Sequence, residues 1–148
     1  PYDWTDEHTD AFNKVRNHLS TQPVLLSYPN YEKEFRILTD ASMSAMGGVL
    51  TQLDDNGNAQ PIEYWSRTFP ESCTLDNQER EAYAIVEACK HWRYYIHGRP
   101  VRILTDCSNI RHIWKHSKRA PNWVVALFEF DIVNIEHITS TPPTHSLA

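Results

Sequence analysis

The segment RILTDAS at residues 36–42 is repeated almost unchanged as RILTDCS at residues 102–108. Each copy reads as an apolar strand that ends in Thr-Asp, and successive side chains of a strand point to opposite faces. The aspartates, Asp40 and Asp106, therefore stand where the chain leaves a buried strand. If the two strands are neighbours in one sheet, their carboxylates converge, and a hard divalent cation with oxygen ligands is the natural partner for such a pair.

Either aspartate taken alone has a simpler interpretation, because a strand that ends in Asp is often only the start of a turn or a helix N-cap. Two such ends, each followed within two residues by serine, favour a shared site. A third carboxylate is expected from the helix predicted at residues 77–97. Glu81 is the preferred candidate, since it lies just before the apolar stripe and near the N-terminal end. Glu79 is better explained as a capping partner, and Glu87 as a solvated helix charge.

The composition indicates a soluble, globular chain: 148 residues, 41% hydrophobic and 22% charged, predict a single domain with a short extra element. No apolar run approaches the ~20 residues of a membrane helix. The start carries neither a signal-peptide pattern nor an initiator Met, so we interpret the chain as part of a longer protein. Three widely spaced cysteines without a CxxC pattern favour a reducing, intracellular setting. The net charge of −5 argues against strong nucleic-acid binding by this domain alone.

Apolar periodicity and turn residues predict an α/β fold in which a leading helix is followed by the order β-β-β-α-β-α-α-β. The predicted elements are a helix at 6–20, strands at 35–42, 45–53 and 59–69, a helix at 77–97, a strand at 101–106, helices at 108–116 and 121–130, and a strand at 131–138. A strand-helix-strand crossover after a three-strand meander implies a mixed sheet with helices packed against it. Trp92 and Trp123 are expected in the core. On the third strand, Ile62 and Tyr64 are expected on one face and Trp65 on the other.

Four longer segments resemble a known family: ILTDASMSAMGGVLTQ, PIEYWSRTF, DNQEREAYAIVEACKHWRYYIHG and VRILTDCSNI. They resemble the ribonuclease H (RNase H) domain of Gypsy-type LTR-retrotransposon reverse transcriptases, and the resemblance covers nearly the whole chain. The residues before them look like the segment that joins the polymerase thumb to RNase H. We therefore expect residues 1–33 to belong to that connector and residues 34–148 to form an RNase H domain. The fold that this implies is a mixed five-stranded sheet flanked by helices.

The resemblance implies endonucleolytic hydrolysis of the RNA strand of RNA/DNA hybrids, with two Mg²⁺ ions, or Mn²⁺, as cofactors. The acids of the family pattern match Asp40, Glu81 and Asp106. We expect Asp40 to lie between both ions, Glu81 to hold the first ion and Asp106 to complete the metal cage. The reaction would then follow the two-metal scheme of phosphodiester hydrolysis.

The same resemblance implies contacts to nucleic acid and to other parts of a polyprotein. Asn77 and Gln78 match polar positions that touch the minor groove of the hybrid in related enzymes, and their amides can bind a 2′-OH. The other expected nucleic-acid contacts are Ser42, Lys115, Lys118 and Arg119. The implied partners are the hybrid and a covalently attached polymerase domain, with oligomers formed through the full polyprotein and no membrane. The implied location is the cytoplasm, within virus-like particles.

The resemblance departs at the C-terminus, where the family pattern continues to an aspartate on a final helix. The residues THSLA match the approach to that fourth metal ligand, and the sequence ends one residue before it, at Ala148. His145 falls at an Asn position of the pattern and is interpreted as a solvated loop residue.

One alternative stays open: a catalytically silent RNase H-like module, in a reverse transcriptase or a domesticated retroelement protein, that binds hybrid or partner subunits structurally. A zinc site at His112 and His116, which lie four residues apart on a short predicted helix, is disfavoured because no third ligand stands at metal spacing.

Overall fold

The structure of the chain is a computed structural model, and it describes residues 3–21 and 26–138, with the side chains of residues 18–21 and 111 left out. The expectations for the C-terminal tail, His145 included, lie outside the described residues. The elements are α1 (Asp6–Thr21), β1 (Phe35–Ala41), β2 (Ala45–Leu53), β3 (Ala59–Thr68), α2 (Asn77–His91), α3 (Arg93–Ile96), β4 (Pro100–Thr105), α4 (Ile110–His116), α5 (Ala120–Leu127) and β5 (Asp131–His137).

The five strands form one mixed sheet in the order β3-β2-β1-β4-β5. The meander β1-β2-β3 is antiparallel, and β1-β4 and β4-β5 are parallel pairs. Since parallel neighbours need a crossover, the segment from α2 to α3 connects the meander to β4. The predicted mixed five-stranded sheet with flanking helices is confirmed.

The repeated segment is explained by this pairing, because its two copies lie side by side in register. Ile37 is opposite Ile103 and Thr39 is opposite Thr105. All four side chains are buried, since this face of the sheet packs under α2. The same sequence is used twice because two central parallel strands meet the same environment on both faces.

The register also places Arg36 opposite Arg102, an arrangement of like charges that would be unfavourable by itself. Glu34 lies between them, with its Oε1 3.6 Å from Arg36 Nε and 2.8 Å from Arg102 Nε. Arg102 also donates to Glu136 on β5. The hydrogen bonds to Glu34 and Glu136 raise the pKa of Arg102. The negative charge of Glu34 offsets the repulsion between Arg36 and Arg102 on the neighbouring strands.

The helix α2 is fixed at its start and buried along one side. Asp76 accepts from the backbone N of Glu79 at 2.7 Å, and the Glu79 side chain accepts from the backbone N of Asp76, which completes the predicted capping box. Trp92, at the other end, is fully buried, and Trp123 is 7% exposed. Both tryptophans therefore lie in the core, as predicted.

Three expectations need correction. The helix predicted at 77–97 is divided at Trp92, whose backbone N–H is shared between Ala88 O and Lys90 O, so the last turn tightens before α3 begins. Ile62 does not share the exposed face of Tyr64, because the register of β2 and β3 shifts there and Ile62 joins the core. Glu87 is not a solvated charge: its side chain is 11% exposed and pairs with Arg67 and Lys90.

The predicted first helix is confirmed as α1, but its apolar side is not covered in the described part of the chain. Phe12 is 56% exposed and Val15 is 61% exposed. The core is instead built between the sheet and helices α2 to α5. Among the described residues, no helix combines the length and the apolar character needed to cross a bilayer.

Candidate active site

The two aspartates of the repeat lie at the same edge of the sheet. Asp40 is near the end of β1, Asp106 follows β4 directly, and both are exposed. The turn that carries Asp106 is held by Thr105, whose Oγ1 accepts from the backbone N of Cys107 at 3.2 Å. The strand pairing thus brings together two carboxylates that are distant in sequence.

Glu81 reaches the same place from α2. Its Oε1 accepts a hydrogen bond of 3.2 Å from the backbone N–H of Ala41, the residue after Asp40. Its Oε2 is buried and has no hydrogen-bond partner among the described residues. Asp40, Glu81 and Asp106 each place a carboxylate oxygen within 4.8 Å of the others.

Burial and neighbouring charges act on Glu81 in the same direction. Desolvation is the largest cause, followed by the charge of Asp106, and the pKa of Glu81 rises from its ordinary value of 4.5 to about 7. The hydrogen bond from Ala41 lowers the pKa and the charge of Asp40 raises it further. In the absence of a cation, Glu81 is therefore protonated at mildly acidic pH and loses its proton only near neutral pH.

The donor set fits a hard divalent cation. All three groups offer carboxylate oxygens, and an unsatisfied, buried Glu81 Oε2 is a polar atom that a cation would satisfy. Within the described residues this is the only group of three or more His, Cys, Asp or Glu side chains that converges in this way.

Glu79, the other acid near the start of α2, is not part of the cluster. Its Oε1 accepts from Ser117 Oγ at 2.7 Å, and its Oε2 accepts from Arg119 at 2.9 Å. These contacts, together with the capping box, agree with the interpretation of Glu79 as a structural residue.

A polar cleft of about 230 Å³ opens beside Glu81 and Asp106. Its remaining lining residues are Asn77, Gln78, Cys107, Ser108 and Asn109. The structure thus places the predicted Asn77 and Gln78 next to the acids. Ser108 and Asn109 were not predicted as site residues, although their position directly after the strand-end aspartate could have suggested them.

The other predicted nucleic-acid contacts lie in different surroundings. The hydroxyl of Ser42 accepts from the backbone N of Ala45 at 3.0 Å and holds the turn between β1 and β2. Arg119 pairs with Glu79 and donates to Thr74 Oγ1 at 2.8 Å, so its guanidinium braces the start of α2. Lys115 and Lys118 are exposed and make no ion pair with a described residue.

On the other side of the acids, a groove of about 350 Å³ lies on the sheet. It is lined by Leu38, Thr39, Asp40, Gly47, Gly48, Val49, Asp106 and Ile138. Asp106 therefore lines both this apolar groove and the polar cleft, whereas Asp40 lines the groove.

A family model described as the RNase H-like domain found in reverse transcriptase matches residues 4–103, which include Asp40 and Glu81. The chain belongs to this family. The match spans well over half of the 148 residues. The resemblance derived from the sequence is thereby confirmed at the level of the family.

Two proteins to which this chain is similar are transposon polyproteins. The Pol polyprotein of transposon 412 from Drosophila melanogaster is 43% identical over 107 residues, which are 72% of this chain and 8% of that protein. The Tf2-3 polyprotein of Schizosaccharomyces pombe is 32% identical over 136 residues, 86% of this chain and 10% of that protein. The chain thus spans about a tenth or less of the length of these relatives.

Solved structures agree on the fold. The foamy viral protease-reverse transcriptase in complex with RNA/DNA hybrid matches with a TM-score of 0.63 at 18% identity, covering 94% of this chain and 20% of that one. The solution structure of the PFV RNase H domain matches with a TM-score of 0.50 at 20% identity, covering 76% and 82% of the two chains. These similarities establish an RNase H-like α/β fold.

Proposed function

We propose that this domain is an endonuclease that hydrolyses the RNA strand of RNA/DNA hybrids, using divalent cations held by Asp40, Glu81 and Asp106. The observation that carries the proposal is the convergence of these three carboxylates, within 4.8 Å, where adjoining strands end. Because the chain belongs to an RNase H-like family, we interpret the converging carboxylates as ligands of the cations that act in phosphodiester hydrolysis. We propose Mg²⁺ as the cofactor, as two ions, with Mn²⁺ as a substitute, because carboxylate oxygens suit both metals.

Each acid has a distinct part in the proposal. Bound divalent ions would supply positive charge to the scissile phosphate and to the leaving oxygen. Asp40 and Asp106 are exposed and present their carboxylates to an incoming backbone. Glu81 is held by the amide of Ala41 and must give up its proton to bind a cation, since its pKa is about 7 without one.

The cleft beside the acids is suited to distinguish RNA from DNA. The amides of Asn77 and Gln78 can both donate to and accept from a 2′-OH, the group that DNA lacks. Both residues line the same cleft as Glu81 and Asp106. Lys115 and Lys118, which make no ion pair with a described residue, are assigned to phosphate contacts further along the surface. The hydroxyl of Ser42 is engaged in its turn and would contribute through the shape of that turn.

The similar proteins support a setting for this activity. The relatives from fly and fission yeast are polyproteins, and a foamy viral reverse transcriptase of the same fold was solved with RNA/DNA hybrid. We infer that the chain is the RNase H part of a Gypsy-type retroelement polyprotein, attached to a polymerase and acting in the cytoplasm in virus-like particles. We place the end of the polymerase connector at residues 1–33 and the RNase H domain at 34–148, and full-length polyproteins would provide any oligomer.

The test is cleavage of an RNA/DNA hybrid whose RNA strand is labelled, with Mg²⁺ or Mn²⁺. The chain is compared with a version continued past Ala148 by an aspartate and a short helix, and both are made with and without Asp40→Asn. We expect the RNA strand to be cut, most strongly by the continued version, and cutting to be lost in both Asp40→Asn variants. If no version cuts, even when fused to a polymerase domain, the silent hybrid-binding module is the correct function.

A further inference from the structure

The histidines His112 and His116 form a close pair on α4. Their ring centroids are 4.3 Å apart and the ring planes are inclined by 35°. Residues four apart on a helix lie on the same face, so this geometry follows from the helix itself. Two histidines four residues apart on one helix face have the spacing at which both rings can reach a single metal ion.

Neither ring is engaged by a described residue. Among the described residues, each ring contacts only the other ring of the pair, and both residues are exposed. Other histidines differ in this respect: His91 Nε2 lies 2.8 Å from Glu63 Oε1, and His97 Nδ1 lies 3.7 Å from Glu129 Oε1. The nitrogens of the His112–His116 pair are therefore open to a ligand from solution.

The pair lines a cleft of about 360 Å³ between the start of α2 and the link from α4 to α5. Two carboxylates and two cations also line it: Asp76 caps α2, Glu79 is paired with Arg119, and Lys118 is exposed. These formal charges balance, so the cleft has no excess charge that would exclude a cation. It has room for a hydrated ion and is distinct from the cluster of Asp40, Glu81 and Asp106.

We propose that His112 and His116 form a second metal site. It binds one divalent metal ion of intermediate softness, with Zn²⁺ as the preferred ion. Imidazole nitrogen suits Zn²⁺, Ni²⁺ and Cu²⁺, whereas Mg²⁺ prefers oxygen ligands. Two protein nitrogens leave the remaining positions of a tetrahedral ion to water. No third protein ligand of the four usual types converges there within the described residues. The site is thus exchangeable and is not a structural zinc centre.

The test is isothermal titration of the chain with Zn²⁺ at pH 7.5 in the presence of excess Mg²⁺, which occupies the carboxylates. We expect one ion per chain, and a loss of affinity of about tenfold or more in both His112→Ala and His116→Ala. In parallel, NMR spectra of the histidine rings should show Zn²⁺-dependent shifts of these two residues and not of His97. This readout needs no nuclease activity, so it stands or falls independently of the proposed function.

A matched control keeps the number of histidines constant while it removes the chelating geometry. The double variant His112→Ala, Lys115→His has two adjacent histidines, at 115 and 116, which point in different directions on the helix. It should bind Zn²⁺ as weakly as His112→Ala alone. Circular dichroism confirms that each variant keeps its fold. If Zn²⁺ binds equally well to all of these variants, or does not bind the parent chain, there is no metal site at His112 and His116.

Discussion

At the scale of single residues, Glu81 differs from the other two acids of the cluster because it is partly buried. Desolvation and the charges of Asp106 and Asp40 raise its pKa to about 7, against one hydrogen bond from Ala41 that lowers it. A carboxyl group that is protonated in the folded state but ionised in the unfolded state makes stability depend on pH. The same group binds a cation only after it loses its proton, so metal binding and protonation compete.

The first prediction is that ionisation of Glu81 lowers the free energy of unfolding of the metal-free domain as the pH rises. The folded pKa of about 7 lies above the ordinary value of 4.5, so the folded state holds more protons between these values. The contribution of Glu81 to the free energy of unfolding should therefore fall from about pH 4.5 to about pH 7 and stay low above it. We expect Glu81→Gln to be more stable than the parent at pH 8 in EDTA, with little difference at pH 5, measured by thermal unfolding.

Added Mg²⁺ should reverse this order at pH 8, because it stabilises only the protein that can bind it. The matched control is Glu71→Gln, at an exposed position before α2, which should unfold like the parent at both pH values. If the thermal stabilities of the parent and of Glu81→Gln change with pH in parallel, the carboxyl group of Glu81 titrates in the same way in the folded and unfolded states.

The second prediction separates Lys118 from Arg119, two neighbours that the sequence assigns to the same task. Arg119 is held by Glu79 and Thr74, whereas Lys118 makes no ion pair with a described residue. Lys118→Ala should weaken binding to RNA/DNA hybrid, measured by fluorescence anisotropy, without a change in thermal stability. Arg119→Ala should lower the free energy of unfolding by about 0.5–1.5 kcal/mol, since a partly exposed ion pair and a hydrogen bond are lost. If Lys118→Ala lowers the stability and Arg119→Ala weakens hybrid binding without lowering the stability, the assignment of separate roles to these two residues is wrong.

At the scale of elements, the meander depends on a close approach of β1 and β2 at Gly48. A Cβ added at Gly48 would lie 2.6 Å from Leu38 O and 3.3 Å from the indole of Trp92. Because one neighbour is backbone and the other is a fully buried side chain, neither can move without disturbing the core. The close packing against Leu38 and Trp92 thus explains why a glycine stands at position 48.

The third prediction compares the two adjacent glycines. Gly48→Ala should lower the free energy of unfolding by about 2–3 kcal/mol, the upper part of the range for overpacking. At Gly47 the nearest atom to an added Cβ is Trp65 O at 3.2 Å, so Gly47→Ala should cost clearly less. Chemical denaturation of both variants measures the difference. Equal costs would mean that loss of glycine in the strand, and not the contact with Leu38, sets the effect.

Elements with a regular pattern could be predicted from the sequence, and those set by tertiary packing could not. Both RILTD copies were predicted as strands, and the convergence of their aspartates was expected on the condition that the strands are neighbours, which the pairing of β1 with β4 fulfils. The division of the long helix at Trp92 and the register shift at Ile62 occur at tertiary contacts: Trp92 packs edge-on against Trp65 of β3, and the shift lies in the pairing of β2 with β3. In the site, the repeat pointed to Asp40 and Asp106, while the pairing of Arg119 with Glu79 involves residues far apart in sequence.

At the scale of the whole molecule, the chain has a net charge of −5, yet it is proposed to bind a polyanion. Five of its cations are paired with carboxylates within the fold: Arg36 and Arg102 share Glu34, Arg67 and Lys90 share Glu87, and Arg119 pairs with Glu79. The cations that we assign to phosphates, Lys115 and Lys118, are exposed and make no ion pair with a described residue. Affinity for nucleic acid depends largely on such contacts, so the isolated domain should bind hybrid weakly.

The fourth prediction follows from this charge distribution. With two lysines on phosphates, the logarithm of the hybrid affinity should fall with the logarithm of the salt concentration with a slope of about −2, at roughly −0.9 per contact. Lys118→Ala should reduce the steepness by about one contact. Fusion to a polymerase domain should raise the affinity strongly through effective concentration, while the loss caused by Lys118→Ala persists. Anisotropy titrations in Ca²⁺ over a range of salt concentrations measure all three quantities. A steep slope for the isolated chain would mean that other cations reach the backbone, and that the domain does not depend on an attached polymerase for its affinity.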